Sequence, residues 1–268
     1  ILIYMKFKHF IIPLIVIFLV QCTRVPITNR KQLLLIPESE MIALSLSSYT
    51  DYLKKNPPVV SGADADMVKR VGNRIKNAVQ KYMVDNKQAQ RLDGYQWEFN
   101  LVADSTVNAW CMSGGKVVVY TGILKYTQDE PTLGIVLGHE IAHAVARHGN
   151  ERMSQELLVA VGDVTLEVAT ANKNKETHDL LMASYGVTSS LGILAYSRQH
   201  ESEADKMGLI FAAMAGYDPH VAVSFWERMG KQGDKTTPVI LRTHPTDKQR
   251  VESLKAFMPT AMKYYKPL

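Results

Sequence analysis

The spacing of apolar residues along the chain predicts a mostly helical protein. In several segments apolar side chains recur every three or four residues, which places them on one face of a helix. The Asn56-Pro57-Pro58 run should end the first of these helices, because proline disfavours helix at the residue before it. The predicted helices cover residues 42–53, 64–86, 129–149, 151–158, 179–215 and 219–229, with a last one around residues 250–254.

Shorter segments predict a small β-sheet. Apolar and polar residues alternate from Tyr95 to Leu101, and two extended runs flank the pair Gly114-Gly115, which is typical of a hairpin. The edge of such a sheet can hold an extended peptide through backbone hydrogen bonds, and a purely structural hairpin is the alternative. The expected fold class is therefore α+β, predominantly α.

Two segments show weak periodicity. Residues 23–37 are predicted to form an extended lead-in to the first helix. Residues 162–176 are rich in Thr, Ala, Asn and Lys, and we expect them to form a mobile connection or gate near the functional site.

The helix at residues 129–149 has the best-defined ends and carries candidate chemistry. Asp129 suits an N-cap, Pro131 suits a first turn, and Gly149 suits the left-handed position after the last turn. Between them stands His139-Glu140-Ile141-Ala142-His143, which has the HExxH pattern of zinc peptidases.

The spacing within this motif explains its chemistry. His139 and His143 leave the same side of the helix one turn apart, so both imidazoles can reach one zinc ion at roughly 2.0–2.1 Å. Glu140 lies about 100° round the helix from His139. From there its carboxylate can act as a base on a metal-bound water without being a ligand. The alternative is an amphipathic helix whose histidines and glutamate are solvated.

A catalytic zinc ion takes three protein ligands and keeps one position for water. The metzincin arrangement is excluded, because Gly149 and Ala146 stand where it needs a histidine and a glycine. On a continuous helix His148 would face elsewhere. The remaining candidates for the third ligand are His200, Glu201, Glu203 and His244.

Helix geometry favours Glu201 among these. Glu201 and Asp205 are four residues apart and share a face, whereas Glu203 lies about 200° from Glu201. One carboxylate on the metal and another that accepts the distal N–H of a ligand histidine form a common arrangement. We therefore expect Glu201 as the ligand and Asp205 as the orienting residue. Glu203 is expected on a solvated face, and His200 as a satisfied or exposed histidine.

Composition and charge indicate a single core and argue against nucleic acid as a partner. The chain has 268 residues and is 46% hydrophobic, enough for one substantial core. Its net charge of +5 falls to +3 without the two lysines of the N-terminal segment, and the basic residues are spread out. Nucleic acid is therefore not an expected partner.

The N-terminal segment is typical of an export signal. After Met5, the expected start, two lysines precede an apolar run over residues 10–20 that is too short for a comfortable membrane span. The run ends at Gln21-Cys22, which resembles a bacterial lipobox with Cys22 as the lipidated first residue. Because Gln21 stands where a small residue is usual, an ordinary signal peptide or an uncleaved anchor is the alternative.

Several motifs together resemble one peptidase family. The HExxH motif, Ser197-Arg198, Glu201-Ser202-Glu203-Ala204-Asp205, and His244-Pro245 with Arg250 resemble metallopeptidase family forty-eight, which includes CAAX prenyl, HtpX-like and Oma-type proteases. The similarity covers about residues 30–250. With no multi-span membrane region in its sequence, the chain looks most similar to the periplasmic BepA/LoiP-like lipoproteins.

The resemblance implies a compact gluzincin-type domain at residues 61–268, after a signal peptide at 1–21 and a lead-in with the first helix at 22–60. It also implies one zinc ion per chain. The implied ligands are His139, His143 and Glu201, with Asp205 and Arg250 behind them. The implied substrate cleft runs along Asn108 to Gly114 and Gly115. His244 is implied near the metal as a latch or a transition-state donor, and a structural histidine is the alternative.

The expected function is a zinc metalloendopeptidase that hydrolyses misfolded or misassembled proteins of the cell envelope. Glu140 would take the proton of the water and pass it to the leaving amine, while His244, with Arg250, would steady the oxyanion. The alternative is a zinc-bound outer-membrane assembly factor or chaperone with latched or negligible proteolysis. The expected location is the periplasm of a Gram-negative bacterium, with membrane contact through a lipid anchor at Cys22. No oligomeric state is predicted.

Overall fold

The computed structural model describes residues 21–170, 175, 197–230, 239–240, 244 and 248–267. The described chain is predominantly helical with small sheets, which confirms the α+β class. The helices are α1 (Glu38–Lys55), α2 (Ala63–Asp85), α3 (Thr121–Thr127), α4 (Glu130–Ala146), α5 (His148–Thr170), α6 (described over 197–214), α7 (Val221–Gly230) and α8 (Lys248–Ala261). The strands are β1 (Gln21–Arg24), β2 (Lys31–Leu34), β3 (Glu98–Val102), β4 (Ala109–Met112) and β5 (Lys116–Tyr120).

Helices α1, α2, α7 and α8 confirm the elements predicted from periodicity. The apolar residues predicted along one face of α2 are buried: Val68, Val71, Ile75, Val79 and Tyr82. Those predicted on α1, which are Ile42, Leu46, Tyr49 and Leu53, are only partly buried. Met41 and Tyr49 face inward on α1, whereas Leu46 is 41% exposed. Helix α1 is only partly buried because it lies on the outside of the sheet, where Tyr49 packs edge-on against Trp110. The helix therefore leaves part of its apolar side uncovered in the described structure.

The sheet forms around the predicted Gly-Gly turn. Its strand order is β3-β5-β4, with β3 parallel to β5 and β4 antiparallel to it. Gly114 and Gly115 have φ of 86° and 81°, a left-handed backbone that favours glycine, so the predicted hairpin is confirmed. Among the described strands β4 lies at an edge of this sheet. A second sheet, the antiparallel pair β1-β2, replaces the extended lead-in with a hairpin.

Helix α4 lies at the centre of the core, packed against α2, β4 and α7. Leu133, Leu137 and Ile141 are completely buried there. Helix α6 crosses α4 at two glycines, and a Cβ added at Gly208 would lie 2.8 Å from the backbone nitrogen of His139. This close approach brings the side chains of α6 next to the HExxH motif.

The start of α4 confirms the predicted cap, but its end corrects the prediction. The Asp129 carboxylate accepts a hydrogen bond from the Thr132 N–H at 2.8 Å. The left-handed residue is Arg147, with φ of 62°, rather than Gly149, which lies inside α5. The Arg147 N–H still donates to the Ala144 carbonyl at 3.0 Å. Because the chain turns here, residue 148 starts a new helix instead of continuing the old one.

The region after α4 differs from the predicted gate. Residues 162–170 continue α5 as regular helix, although only Leu166, Glu167 and Ala169 among them are good helix formers. The remainder of the predicted gate, except residue 175, lies outside the described residues, as does the 179–196 part of the predicted long helix. Residues 197–214 confirm the rest of that helix.

Residues 1–20 of the signal peptide predicted at 1–21 lie outside the described part of the chain, and Gln21 begins β1, so that prediction stays open. Cys22 stands in β1, and its lipidation likewise stays a prediction. Across the described helices, none combines the length and apolar character that a membrane crossing needs.

Candidate metal centre

Four side chains bring potential metal donors to one point. His139 and His143 extend from the same face of α4, and their Nε2 atoms lie 3.1 Å apart. From α6, Glu201 places Oε2 3.4 Å from His139 Nε2 and Oε1 3.3 Å from His143 Nε2. His244 places Nδ1 3.1 Å from His139 Nε2 and 3.0 Å from each Glu201 oxygen. All four donor atoms lie within 4.8 Å of one another.

These separations fit the ligands of a single small ion. Donors at about 2.0–2.1 Å from a tetrahedral zinc ion are about 3.3–3.4 Å apart, close to the distances among these atoms. Imidazole nitrogens with one carboxylate are a donor set that zinc accepts. The residues present therefore fit zinc, and the predicted ligands His139, His143 and Glu201 lie together with His244 added.

The electrostatics of the cluster also favour a cation. Burial works to lower the pKa of His139, but the Asp205 and Glu201 carboxylates raise it to about 9. Burial works to raise the pKa of Glu201, yet the hydrogen bonds from His139, His143 and His244 hold it far below its usual range. The Glu201 and Asp205 carboxylates thus lie next to the imidazoles, where they would also lower the electrostatic cost of a divalent cation.

His139 is held from behind by Asp205. Asp205 Oδ1 lies 3.0 Å from His139 Nδ1, the ring nitrogen that faces away from the cluster. Arg250 grips the same carboxylate with two hydrogen bonds, from Nε at 2.8 Å and from Nη2 at 2.7 Å. The Arg250 guanidinium also lies over the Trp226 ring, 3.6 Å from its centroid. These positions suit the orienting role predicted for Asp205. Arg250 lies behind the ligands, as the resemblance implied, and is not among the described residues that line the cleft, where the predicted oxyanion role would need it.

Glu140 lies beside the cluster without joining it. It is 4% exposed, and its Oε1 has no hydrogen bond among the described residues. That oxygen lies 3.5 Å from His244 Nε2. Burial raises the pKa of Glu140, which moves the carboxylate towards the range where it can take and return a proton. A buried carboxylate oxygen that makes no hydrogen bond fits the predicted base.

An open cleft of about 590 Å³ leads to these residues. One wall is the edge strand β4 and the other is α1, through Met41 and Leu44. The cleft wall includes Asn108, as predicted, but Gly114 and Gly115 lie in the turn behind it. A Cβ added at Gly115 would meet the Trp97 ring at 2.7 Å, so the turn packs into the fold rather than facing the cleft.

A second polar cluster lies directly behind His143, and sequence reasoning missed it. Glu203, expected on a solvated face, is 3% exposed and lies 3.1 Å from His148 Nε2. His200 is buried too, with Nε2 3.0 Å from Glu151 Oε2. His148 points back to His143 because the chain turns at Arg147. One sequence signal could have indicated this cluster. Glu201 and Glu203 are two carboxylates close together in α6, whereas the metal needs only one of them as a ligand.

Arg30, from the hairpin, binds both carboxylates of this second cluster. Burial works to raise the pKa of Glu203, but hydrogen bonds from His148, Arg30 and Thr28 lower it to about 2. The pKa of Glu151 is likewise about 2, since hydrogen bonds from Arg30 and His200 outweigh its burial. Both carboxylates are therefore ionised at neutral pH.

Comparison with known proteins agrees with this arrangement. The sequence model of peptidase family M48 matches residues 70–258, more than half of the chain. The chain belongs to peptidase family M48. The match covers the HExxH motif, α6 and residue 244, so the resemblance stated from these motifs is confirmed.

Three relatives that match the chain are named as proteases or metalloendopeptidases. The mitochondrial metalloendopeptidase OMA1 of Arabidopsis thaliana is 37% identical over 163 residues, 61% of this chain and 32% of that protein. The OMA1 of Homo sapiens is 30% identical over 248 residues, 89% of this chain and 46% of that protein. The beta-barrel assembly-enhancing protease of Yersinia pestis is 27% identical over 164 residues, 58% of this chain and 33% of that protein.

The chain spans about a third to a half of the length of these relatives. Their names and the family match support a metalloprotease. They include both mitochondrial and bacterial proteins, so they leave the location and the substrate of this M48 chain open.

Proposed function

We propose that this M48 chain is a zinc-dependent endopeptidase. The observation that carries the proposal is the buried Oε1 of Glu140, which makes no hydrogen bond among the described residues and lies beside four converging donors. A purely structural site gains nothing from a buried carboxylate oxygen that makes no hydrogen bond, because such an oxygen costs free energy to maintain. A base that must accept a proton during catalysis does need such an oxygen.

Zinc, when bound by His139, His143 and Glu201, would supply an acidified water and polarise the scissile carbonyl. The chain itself performs the proton transfers. Glu140 Oε1 accepts a proton from water in the cleft, and the same oxygen returns it to the leaving amine. Asp205 and Arg250 keep the His139 ring in one orientation throughout.

The cleft supports an extended polypeptide as the substrate class. Among the described strands β4 lies at the edge of its sheet, where backbone groups can pair with a chain of almost any sequence. A folded substrate would have to unfold locally to pair in this way, so unfolded or misassembled proteins fit best. With the signal segment predicted before Cys22, we propose proteins of a bacterial envelope as the substrates, and a lipid anchor at Cys22 as the contact with the membrane.

Glu140→Gln is the substitution that tests the peptidase. The amide keeps the shape of the side chain but cannot take a proton, so we expect zinc content to stay at one per chain. The value of kcat/KM on unfolded casein should fall by about 10²–10⁴-fold. Glu156→Gln, at an exposed position of α5, is the matched control and should cleave at the wild-type rate. Wild-type cleavage by Glu140→Gln would remove Glu140 from this role.

One observation favours the alternative, a client-holding assembly factor with latched proteolysis. His244 Nδ1 lies within 3.1 Å of donor atoms of both His139 and Glu201, the position of a fourth donor rather than of an oxyanion donor across the cleft. A tetrahedral zinc centre that takes all four donors has no position left for water. In this state the centre would be closed to chemistry.

His244→Ala separates the two functions. If His244 closes the centre, the variant should retain zinc through the three other ligands and cleave casein roughly tenfold or more faster than wild type. His220→Ala, at an exposed histidine paired with Asp218, is the control and should change nothing. A loss of cleavage in His244→Ala with zinc retained would instead support the transition-state donor, and zinc without cleavage in every variant would favour the assembly factor.

A further inference from the structure

His143 has a partner behind it that differs from the carboxylate behind His139. Its Nδ1 lies 3.0 Å from Nδ1 of His148, a histidine that is 3% exposed. When His143 uses Nε2 as a metal donor, its Nδ1 carries the proton and donates it to His148 Nδ1. The proton of neutral His148 must then sit on Nε2, which lies 3.1 Å from Glu203 Oε2. The contacts therefore set the tautomer of both rings.

Glu203 is fully engaged by donors. Its Oε1 accepts hydrogen bonds from Thr28 Oγ1 at 2.8 Å and from Arg30 Nε at 2.8 Å. Its Oε2 accepts one from Arg30 Nη2 at 2.9 Å and the one from His148. Four donors hold the carboxylate in a single orientation, so it can fix the His148 ring in turn.

The hairpin that supplies these donors is tied down as well. Arg30 Nη1 and Nη2 donate to the two oxygens of Glu151 at 2.6 and 2.7 Å. Gln32 Nε2 donates to Glu151 at 3.0 Å and to the Ala146 carbonyl, the last residue of α4, at 2.7 Å. The β1-β2 hairpin thus contacts α5, α6 and the end of the HExxH helix together.

The two ligand histidines of α4 have parallel supports. His139 leads to Asp205 and then to Arg250, which grips that carboxylate with two hydrogen bonds. His143 leads through the extra ring of His148 to Glu203, which Arg30 grips in the same bidentate manner. The extra ring places the negative charge of Glu203 farther from the donor cluster, where Glu201 and Asp205 already supply two carboxylates.

We propose that His148, Glu203 and Arg30 form a positioning relay for His143, which makes the N-terminal hairpin part of the metal centre. The inference rests on the proposed function in one respect, namely that His143 is a metal ligand. Stability alone does not account for the relay. Buried ion pairs of this kind are often no more stable than apolar packing of the same volume, whereas an orienting partner is what a ligand histidine needs.

Zinc affinity, measured by competition with a chromophoric chelator on the full chain, tests the relay at His148. His148→Leu should weaken zinc binding by about 10–100-fold, the usual cost of losing such a partner. His148→Asn should bind within about threefold of wild type, because its side-chain oxygen can still accept the His143 Nδ1 proton. His200→Leu is the matched control, since His200 is buried in the same cluster and stacks on His148 but pairs with Glu151.

His200→Leu should stay within about threefold of the wild-type affinity. Circular dichroism and thermal unfolding of the zinc-free variants check that each is folded. Equal affinity of His148→Leu and wild type would overturn the relay. So would an equal loss in His148→Leu and His200→Leu, which would show a packing effect, or a failure of His148→Asn to restore binding. If wild type binds no zinc at all, the proposed function fails first and the relay falls with it.

A second pair of variants tests the hairpin. Arg30→Gln removes both charged donors from Glu203 and should weaken zinc binding by roughly tenfold or more. Arg24→Gln is the control on the same hairpin, because the Arg24 side chain is exposed and donates only to the Asn29 carbonyl among the described contacts. Should Arg30→Gln fail to fold, Thr28→Val removes one donor and should weaken binding by about 2–5-fold. Unchanged affinity in the folded variants would exclude the hairpin from the metal centre.

Discussion

The Arg30 side chain holds together two carboxylates that are far apart in the sequence. Its guanidinium binds Glu151 and Glu203, which stand 121 and 173 residues further along the chain. Both carboxylates are nearly inaccessible to water, with exposures of 1% and 3%. Desolvated charges require partners with good geometry, and the planar guanidinium meets two carboxylates at once because it offers five donors in a fixed plane.

The Arg30–Glu151 pair predicts a specific pH dependence of stability. The pKa of Glu151 is lowered to about 2 from 4.5, so its ionised form stabilises the fold above about pH 4.5. This contribution, roughly 3 kcal/mol, is lost as the pH falls from about 4.5 towards 2. Arg30, His200 and Gln32 face the carboxylate directly, with His148 and Glu203 nearby.

Urea unfolding of metal-free wild type and of Glu151→Gln, between pH 7 and pH 3, measures this contribution. Acidic groups away from this cluster contribute equally to both proteins, so the difference reports on Glu151 together with Glu203, which shares Arg30 with it. Wild type should be the more stable protein at pH 7, and its advantage should shrink below pH 4.5. A difference in the free energy of unfolding that does not change with pH would contradict the lowered pKa.

At the scale of elements, the crossing of α4 and α6 builds the site. His139 and His143 stand on one helix and Glu201 on the other, so the distance between the helices sets the distance between donors. Gly138 and Gly208 let the two backbones approach, since a Cβ at Gly138 would lie 2.8 Å from the Gly208 carbonyl oxygen. Glycine costs helix propensity at both places, and close packing offsets that cost.

Gly208→Ala should therefore push the helices apart. The new Cβ would lie 2.8 Å from a backbone atom, which cannot rotate away, so we expect a loss of about 1–3 kcal/mol in stability. Zinc binding should weaken in the same variant because Glu201 moves relative to His139. Gly149→Ala is the control, as nothing lies within 4 Å of a Cβ there, and it should be neutral or slightly stabilising. Chemical unfolding and zinc titration of both variants measure the two effects.

At the scale of the whole molecule, the metal centre contacts elements that are far apart in the sequence. Its donors come from α4, α6 and residue 244, and its supports reach the N-terminal hairpin and α8. An ion bound here cross-links elements that are far apart in sequence. Metal binding and global stability should therefore be linked.

Removal of zinc by a chelator should lower the unfolding temperature. A ligand present at a thousand times its Kd stabilises the folded state by roughly 4 kcal/mol. Differential scanning calorimetry before chelation, after it and after zinc is restored measures the effect. Magnesium should not restore the lost stability, since it prefers six oxygen ligands in an octahedron. An unfolding temperature that is the same with and without zinc would show that the metal centre is not formed in the folded protein.

Features that depend on neighbouring residues were predictable. Asp129 caps α4 because its carboxylate reaches an N–H only three residues away, and Gly114 and Gly115 turn the hairpin through their own backbone freedom. The convergence of His139 and His143 follows from the helical period alone. Each of these depends on interactions within a few residues, which the pattern of the sequence encodes directly.

Features that depend on two distant segments became visible only in the folded chain. No local pattern places Arg30 beside Glu203 or marks Arg147 as the left-handed residue that turns His148 back to His143. Glu203 looked solvated because periodicity gives the direction of a side chain on its helix but not what packs against that side. The partners are set by how helices cross and where the hairpin docks, and that depends on the packing of the whole core.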